Sequence, residues 1–397
     1  MSKKLIYSLA FLVFALSTAV SYWYFNANAD RRISFSILDN SKPSPIVDKS
    51  GQTKANGDVP RIDSSEPRTE ECPLNGEMLT KAHRKEWEAR RPLGVMIENH
   101  KEARPQSGLS IADVVYEAVA EGGITRFMAV FYCKDAPYVG PVRSARMYFI
   151  RFLEEYGQFP LYAHVGGANT PGPADALGEI RELGWNFNND MNQFSVPFPV
   201  YYRDYDRLPD RATEHTVYSS TQKLWNYAKT KRALTNVDAD GLSWDKGFVP
   251  WEFKDDAKPE ERGAVNKVSF GFWNAFSSDF SVDWNYDKGT NSYTRVNGGV
   301  SHKDKNTGKP LRARNIVVIF AKESPANDGY NGGHLIYKNT GTGDAIIFQD
   351  GKAIKGTWSK KDAETRMSFT DEKGKKVSFV RGQIFIEMLP IGNKVTY

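Results

Sequence analysis

Apolar residues recur along this chain in two rhythms. Short apolar runs and period-two alternation mark residues 93–97, 113–119, 127–132, 138–142 and 161–165 as strands. Between and after them a spacing of three to four takes over. Met147, Ile150 and Leu153, behind Ser144 as a cap, predict a helix over residues 144–156. Residues 173–183 read as a helix opened by Pro173 and closed by Gly184, and Ser219 or Ser220 caps another that runs to residue 231. A shorter helical piece, residues 79–90, leads into the first strand. From residue 282 onward the period is two again. Residues 282–286, 292–296, 315–320, 345–348, 366–370, 376–379 and 383–389 read as strands, separated by Asn297-Gly-Gly, Asp350-Gly and Asp371-Glu-Lys-Gly374 as turns.

These patterns predict an α/β or α+β N-terminal domain with a mixed sheet over residues 73–232 and a linker over 233–260. An all-β C-terminal domain, sandwich or barrel-like, follows over 261–397. Ahead of them lie two segments of different character. Lys3 and Lys4 precede an uncharged, mostly apolar run, residues 5–25, long enough to cross a bilayer as one helix. Tyr22, Trp23 and Tyr24 would sit in the outer interface, and the positive start places the N-terminus in the cytoplasm. Ala27-Asn-Ala29 is a cleavage pattern, but the run exceeds a usual signal-peptide core, so residues 1–29 read as an uncleaved signal anchor in preference to a cleaved signal peptide. Residues 30–72, polar and rich in Pro and Ser, read as a disordered tether. The expected location is therefore the cytoplasmic membrane, single-pass, with the body in the periplasm or outside the cell.

Composition changes this picture little. Of 397 residues, 40% are hydrophobic and 25% charged, a globular balance. The net charge of +5 is spread among interleaved acids and bases, so no nucleic-acid partner is expected. The chain has two cysteines, Cys72 and Cys133. Export permits a disulfide, but sequence cannot supply their separation, and two unrelated thiols with Cys133 on a strand is the plainer expectation. No paired Cys/His spacing suggests zinc, and no P-loop, G-x-S-x-G or H-E-x-x-H pattern occurs.

Candidate chemistry collects at the ends of the N-terminal strands. Glu121-Gly-Gly-Ile-Thr-Arg126 and Gly140-Pro-Val-Arg-Ser-Ala-Arg146 bring Arg126, Arg143 and Arg146 toward one place, where guanidiniums suit a phosphate or carboxylate. Glu98, His100, Arg104, Glu121 and His215 are further candidates for ligand binding. Asp113 and Glu117 share one strand face and are candidate metal ligands; Asp113 and His164 are candidate catalytic groups. The opposing reading is that the arginines pair with Asp113, Glu117 and Glu121 and only stitch the sheet together.

Cys72-Pro-Leu-Asn-Gly, Arg91-Pro-Leu-Gly-Val-Met-Ile-Glu-Asn-His, Ala103-Arg-Pro-Gln-Ser-Gly, Ala112-Asp-Val-Val-Tyr-Glu-Ala, Glu121-Gly-Gly-Ile-Thr-Arg-Phe and Val139-Gly-Pro-Val-Arg-Ser-Ala-Arg together resemble the YerB-like bacterial envelope proteins. The resemblance covers nearly all of the chain past residue 70. It implies two domains and an exported, membrane-attached protein, and it supplies no reaction. Lipoprotein members carry a lipidated cysteine that is missing here, so the anchor should be the apolar helix. A weaker similarity, through Ala112-Asp113, Pro141-Val-Arg143-Ser-Ala-Arg146 and Tyr162-Ala-His-Val-Gly-Gly167, is to the LytR-CpsA-Psr phosphotransferases. It implies pyrophosphate on Arg143 and Arg146 and a metal at Asp113. Three functions follow as expectations. The first is an envelope protein binding an anionic lipid or glycan. The second is a phosphotransferase acting on lipid-linked glycopolymers, the one reading that calls for Mg²⁺. The third is a non-catalytic scaffold.

Overall fold

The computed structural model describes residues 66–273 and 277–397. The proposed anchor and most of the proposed tether lie outside the described residues. Among the described residues no helix is long and apolar enough to cross a membrane.

The fold is mostly β and is built on one mixed sheet of eleven strands. In chain order these are β1 (Leu93–Glu98), β2 (Val114–Val119), β3 (Thr125–Phe131), β4 (Leu161–His164), β5 (Asp190–Asn192), β6 (Asn315–Pro325), β7 (Leu335–Lys338), β8 (Gly341–Gln349), β9 (Lys352–Lys360), β10 (Ser368–Asp371) and β11 (Ile384–Pro390). Across the sheet the order is β10-β9-β8-β6-β11-β2-β3-β1-β4-β5, with β7 added to β6. β1, β2, β3 and most of β11 are buried on both faces, which is why they read as unbroken apolar runs.

The C-terminal strands do not close on themselves. β11 pairs in parallel with β2 on one side, Ile384 opposite Val114, and with β6 on the other. The all-β region expected as a separate sandwich or barrel therefore completes the N-terminal sheet. A second sheet of six strands, centred on Val282–Asp287 and Ser292–Asn297, packs over this junction. It alternates as a half-buried sheet should. Val282, Trp284 and Tyr286 face inward; Asp283, Asn285 and Asp287 face outward. Trp284 is fully buried and meets Phe385 of β11 edge-on, with ring centroids 4.9 Å apart. Burying a side chain of this size contributes about 2–3 kcal/mol.

The helices are short. α1 (Lys81–Trp87), α2 (Met147–Leu153), α3 (Ala176–Glu182) and α4 (Thr221–Arg232) lie where the 3.6 period placed them. Ser220 caps α4, accepting from Lys223 N–H. Ser144 does not cap α2; that place is taken by Arg146, whose side chain makes no capping bond. Residues 68–72, assigned by composition to the tether, are ordered: Arg68–Glu71 pairs with Met78–Thr80. Cys72 and Cys133 form a disulfide, which overturns the expectation of separate thiols. Sequence could not reveal it because 61 residues separate the two, and only the return of the chain along β3 brings them together.

Candidate anion site at the strand ends

β1 and β2 both run antiparallel to β3, and β4, β5, β6 and β11 are parallel to one or the other directly or in turn. Their carboxyl ends therefore gather at one end of the sheet, where open α/β sheets bind ligands. Residues 99–100, 120–123, 165–167, 193–194 and 326–334 continue from those ends. Residues 139–146 cross them. Arg143 N–H donates to Met96 O at 3.0 Å, Val165 N–H donates to Arg143 O at 3.0 Å, and Ala145 N–H donates to Gly166 O at 2.9 Å.

Two glycines make that crossing possible. Gly140 has φ +138°, and a Cβ there would meet Val217 O at 2.8 Å. A Cβ on Gly167 would meet Leu177 at 2.9 Å and Ala145 at 3.1 Å. The glycine pair at 166–167 thus serves close packing of the crossing segment.

Arg126, Arg143 and Arg146 do converge. Glu121 ties two of them, pairing with Arg146 Nε and standing 3.7 Å from Arg126 Nη2. Arg146 Nη1 also donates to Ala145 O at 2.5 Å. Arg126 is poorly satisfied. Its Nη1 donates to Ser144 O at 3.2 Å, and its Nε is buried without a hydrogen-bond partner. Burial, followed by repulsion from Arg146, pulls its pKa down to about 10, with Glu121 opposing and Arg143 adding to the repulsion. Glu121 is held below the usual carboxylate range: burial works against ionisation, but Arg146, Arg126 and His334 outweigh it. His334 stands 4.0 Å from Glu121, donates its Nδ1–H to Asp328 at 2.7 Å, and stacks on the exposed ring of Tyr330 at 4.1 Å. Phe194, 77% exposed, rests against Gly166. The side chain of Arg143 is 28% exposed, against 8% and 10% for Arg126 and Arg146, so Arg143 is the most open to solvent of the three.

A second cluster adjoins the first through Glu98, the register partner of Arg126. One Glu98 oxygen pairs with Arg143 Nε at 3.1 Å; the other lies 2.8 Å from His215 Nδ1. Val142 bridges Ile97 and bonds Val217, so the three segments form a local ladder that fixes these side chains side by side. The rings of His100 and His215 are parallel, with centroids 5.1 Å apart. His215 Nε2 stands 3.6 Å from Glu102. His100, Glu102 and His215 offer ligand atoms that all lie within 4.8 Å of one another.

Other sequence candidates lie elsewhere. Asp113 is fully buried beside the disulfide. It accepts N–H bonds from Tyr132 at 2.7 Å and Cys133 at 3.0 Å and a side-chain bond from Asn75 at 3.1 Å. Burial pushes its pKa up to about 6, against the pull of Lys134 and the backbone donors. It opens β2 while Arg126 pairs with Ala118 five residues on, roughly 16 Å along the strand. Asp113 and Glu117 therefore do not form the metal pair their shared face suggested. Glu117 is occupied by Asn99 at 3.0 Å, Thr125 at 2.6 Å and Arg295 at 2.5 Å. Arg104 bonds Asn99 and faces Phe280, away from the arginine cluster. His164 is fully buried, with its two ring nitrogens 2.7 Å from Asp190 and 2.7 Å from Gly166 O. It supports the 166–168 turn and touches no open surface. Sequence reasoning missed Glu102 and His334, which belong to no motif, and Arg295 and Glu387, which occupy inward positions of otherwise ordinary strands.

A cleft of about 520 Å³ is present far from these groups, lined by Arg68, Arg312, Arg314 and Arg381. It is a weaker candidate, because three of its arginines are already paired with Asp287, Asp256 and Glu71.

Comparison with known proteins adds context to this geometry. Residues 79–235 match the family described as the N-terminal domain of a protein of unknown function (DUF3048), and residues 273–386 match its C-terminal domain. The chain is 32% identical over 302 residues to the Bacillus subtilis (strain 168) protein named "Putative lipoprotein YerB", covering 76% of this chain and 82% of the relative. It also matches the crystal structure of the YerB protein from Bacillus subtilis, with a TM-score of 0.64 at 28% identity over 83% of this chain and 100% of the other. None of these matches is to a LytR-CpsA-Psr phosphotransferase.

Proposed function

The chain belongs to the YerB-like DUF3048 family, and from that premise we propose that it is a membrane-anchored, envelope-facing protein that holds a phosphate-bearing anion against Arg126, Arg143 and Arg146. The relative's description as a lipoprotein supports an envelope setting. The apolar run of residues 5–25 would replace the lipid as anchor.

The observation that carries the ligand reading is Arg126. A guanidinium has five N–H donors, and this one, buried among two other arginines, makes one hydrogen bond. Among the ion pairs, three guanidiniums share two carboxylates, Glu121 and Glu98, with the exposed Glu214 also acting on Arg143. An anion there would satisfy the unmade donors. The exposed rings of Phe194 and Tyr330 flank the place and would suit the carrier or sugar part of such a ligand. The phosphotransferase reading lacks its acidic metal ligand, because Asp113 lies at the other end of β2.

The test is binding of inorganic pyrophosphate and of vesicles carrying a polyprenyl phosphate to the full chain in detergent or nanodiscs. Wild type should bind both in a salt-sensitive way, and R143A should bind about tenfold more weakly or worse. Equal binding by R143A would sink the proposal.

A further inference from the structure

We propose that His100, Glu102 and His215 form a binding site for a divalent transition metal of the zinc class, with Glu98 as the group that orients His215. The site stands on its own geometry and does not depend on the anion reading. Two imidazoles and one carboxylate are a donor set suited to zinc and unsuited to magnesium, which prefers oxygen.

Four features support it. The first is convergence: three ligand atoms from residues 100, 102 and 215 lie within 4.8 Å of one another. Zinc bonds of about 2.0–2.1 Å put tetrahedral ligands roughly 3.4 Å apart, so closing the site takes a shift of about an ångström. Glu102, 43% exposed at its side chain, and the half-buried His100 have room for that shift. The second is orientation. In the neutral ring, His215 Nδ1–H donates to Glu98 Oε2 at 2.8 Å, which leaves the Nε2 lone pair turned toward Glu102. A carboxylate behind a ligating histidine is the usual way a metal-bound ring is fixed and made more basic. The third is contrast with the other four histidines. His164 and His302 have both ring nitrogens bonded within the core. His83 bonds Thr80, and His334 bonds Asp328. Only His100 and His215 meet ring to ring. The fourth is the weakness of what a metal would displace, since His100 Nδ1 accepts a single long bond, 3.3 Å, from Glu102 N–H.

Three protein ligands leave a coordination position open, as in sites where a metal meets water or substrate. Arg143 shares Glu98 with His215, so that one carboxylate joins the proposed metal site to the arginine cluster. Both cysteines are consumed in the disulfide, so no thiol competes for the ion.

The experiment strips the full chain with a chelator and titrates it with Zn²⁺ against a chromophoric competitor, then repeats the titration with Co²⁺ and reads its visible ligand-field bands. The expected result is one tight equivalent, with a low-symmetry cobalt spectrum. H215A should weaken binding by about tenfold or more, and E98Q by about 10–100-fold with the stoichiometry kept. The double variant H100A/E102A alters only partly exposed side chains, and should fold with wild-type circular dichroism yet lose the tight equivalent and the cobalt bands. If it binds zinc as wild type does, or if wild type never competes with the chelator, the proposal is overturned. Anion binding is read separately with pyrophosphate, so either proposal can fail without the other.

Discussion

Glu387 lies directly beside Glu117 on the neighbouring parallel strand, and Arg295 bonds both, at 2.6 Å and 2.5 Å, with all three side chains fully buried. Burial raises the Glu387 pKa well above the carboxylate range; Arg295 opposes this and Glu117 adds to it. The shift favours the protonated form of Glu387, with the Arg295 guanidinium set against both acids. A folded-state value raised above the unfolded one adds stability at low pH that fades as pH climbs past the ordinary value of 4.5 toward the folded one. E387Q mimics the protonated acid and escapes that loss. In denaturant melts E387Q should lie within about 1 kcal/mol of wild type at pH 5 and gain on it steadily toward pH 8. R295M should lose about 3–5 kcal/mol, because it strands a buried charge.

Glu121 gives the opposite sign. Its pKa is depressed, so its stabilisation is present above the ordinary carboxylate value and fades as pH falls through the folded one. E121Q should cost about 1–3 kcal/mol at pH 7, with a difference that narrows in acid. Because Glu121 is the internal counter-ion of Arg126 and Arg146, the same variant should bind pyrophosphate more tightly than wild type. Weaker binding by a folded E121Q would point to Glu121 as part of the ligand contact instead.

R143A separates binding from folding. Its ion pair with Glu98 is partly exposed, so its thermal midpoint should stay near that of wild type while anion affinity drops. A large loss of stability in R143A would return the cluster to a structural role.

Loss of the disulfide should be felt globally. A bridge closing 61 residues restricts the unfolded chain by about 4 kcal/mol on a loop-entropy estimate. The C72S/C133S variant should show that loss in urea melts without a change in the zinc titration, since the cysteines lie at the other end of β2 from His100.

Cutting the chain between the two family segments should fail to give two folded pieces. Residues 66–235 alone would expose the edge of β2 and leave Glu117 without Arg295. Circular dichroism and gel filtration should find that piece aggregated or unfolded, and mixing it with residues 236–397 should restore little.

Much of the sheet was legible because its strands announce themselves. The runs in β1, β2 and β3 are too short and too β-branched or aromatic for helices, and the structure places strands there. β9 was missed because Lys352–Lys360 alternates mainly polar and small residues and is half exposed. The helix read from Ser144 begins at Met147 because residues 143–146 spend their backbone on β1 and on residues 165–168. Strand adjacency was not legible at all. Period two says that residues 384–390 are a strand but not that they lie beside residues 114–119, because partner choice is set by tertiary burial. At the strand ends, the two arginine motifs do come together, with Glu121 between Arg126 and Arg146. Asp113 and Glu117 misled because a shared strand face says nothing of which end each occupies. His100 and His215, 115 positions apart by their numbers, were named singly and could not be paired until the 97–142–217 ladder set them side by side.

The position of β11 also sets a timetable. Synthesis delivers this chain from its N-terminus, so β1, β2 and β3 emerge long before residues 384–390, which must slot between β2 and β6. Until then β2 presents an open edge, and Glu117 awaits its counter-ion Arg295. Such a chain has reason to be shielded while it waits, by a holdase chaperone. Its yield on overproduction should depend on that shielding more than on the stability of the finished fold.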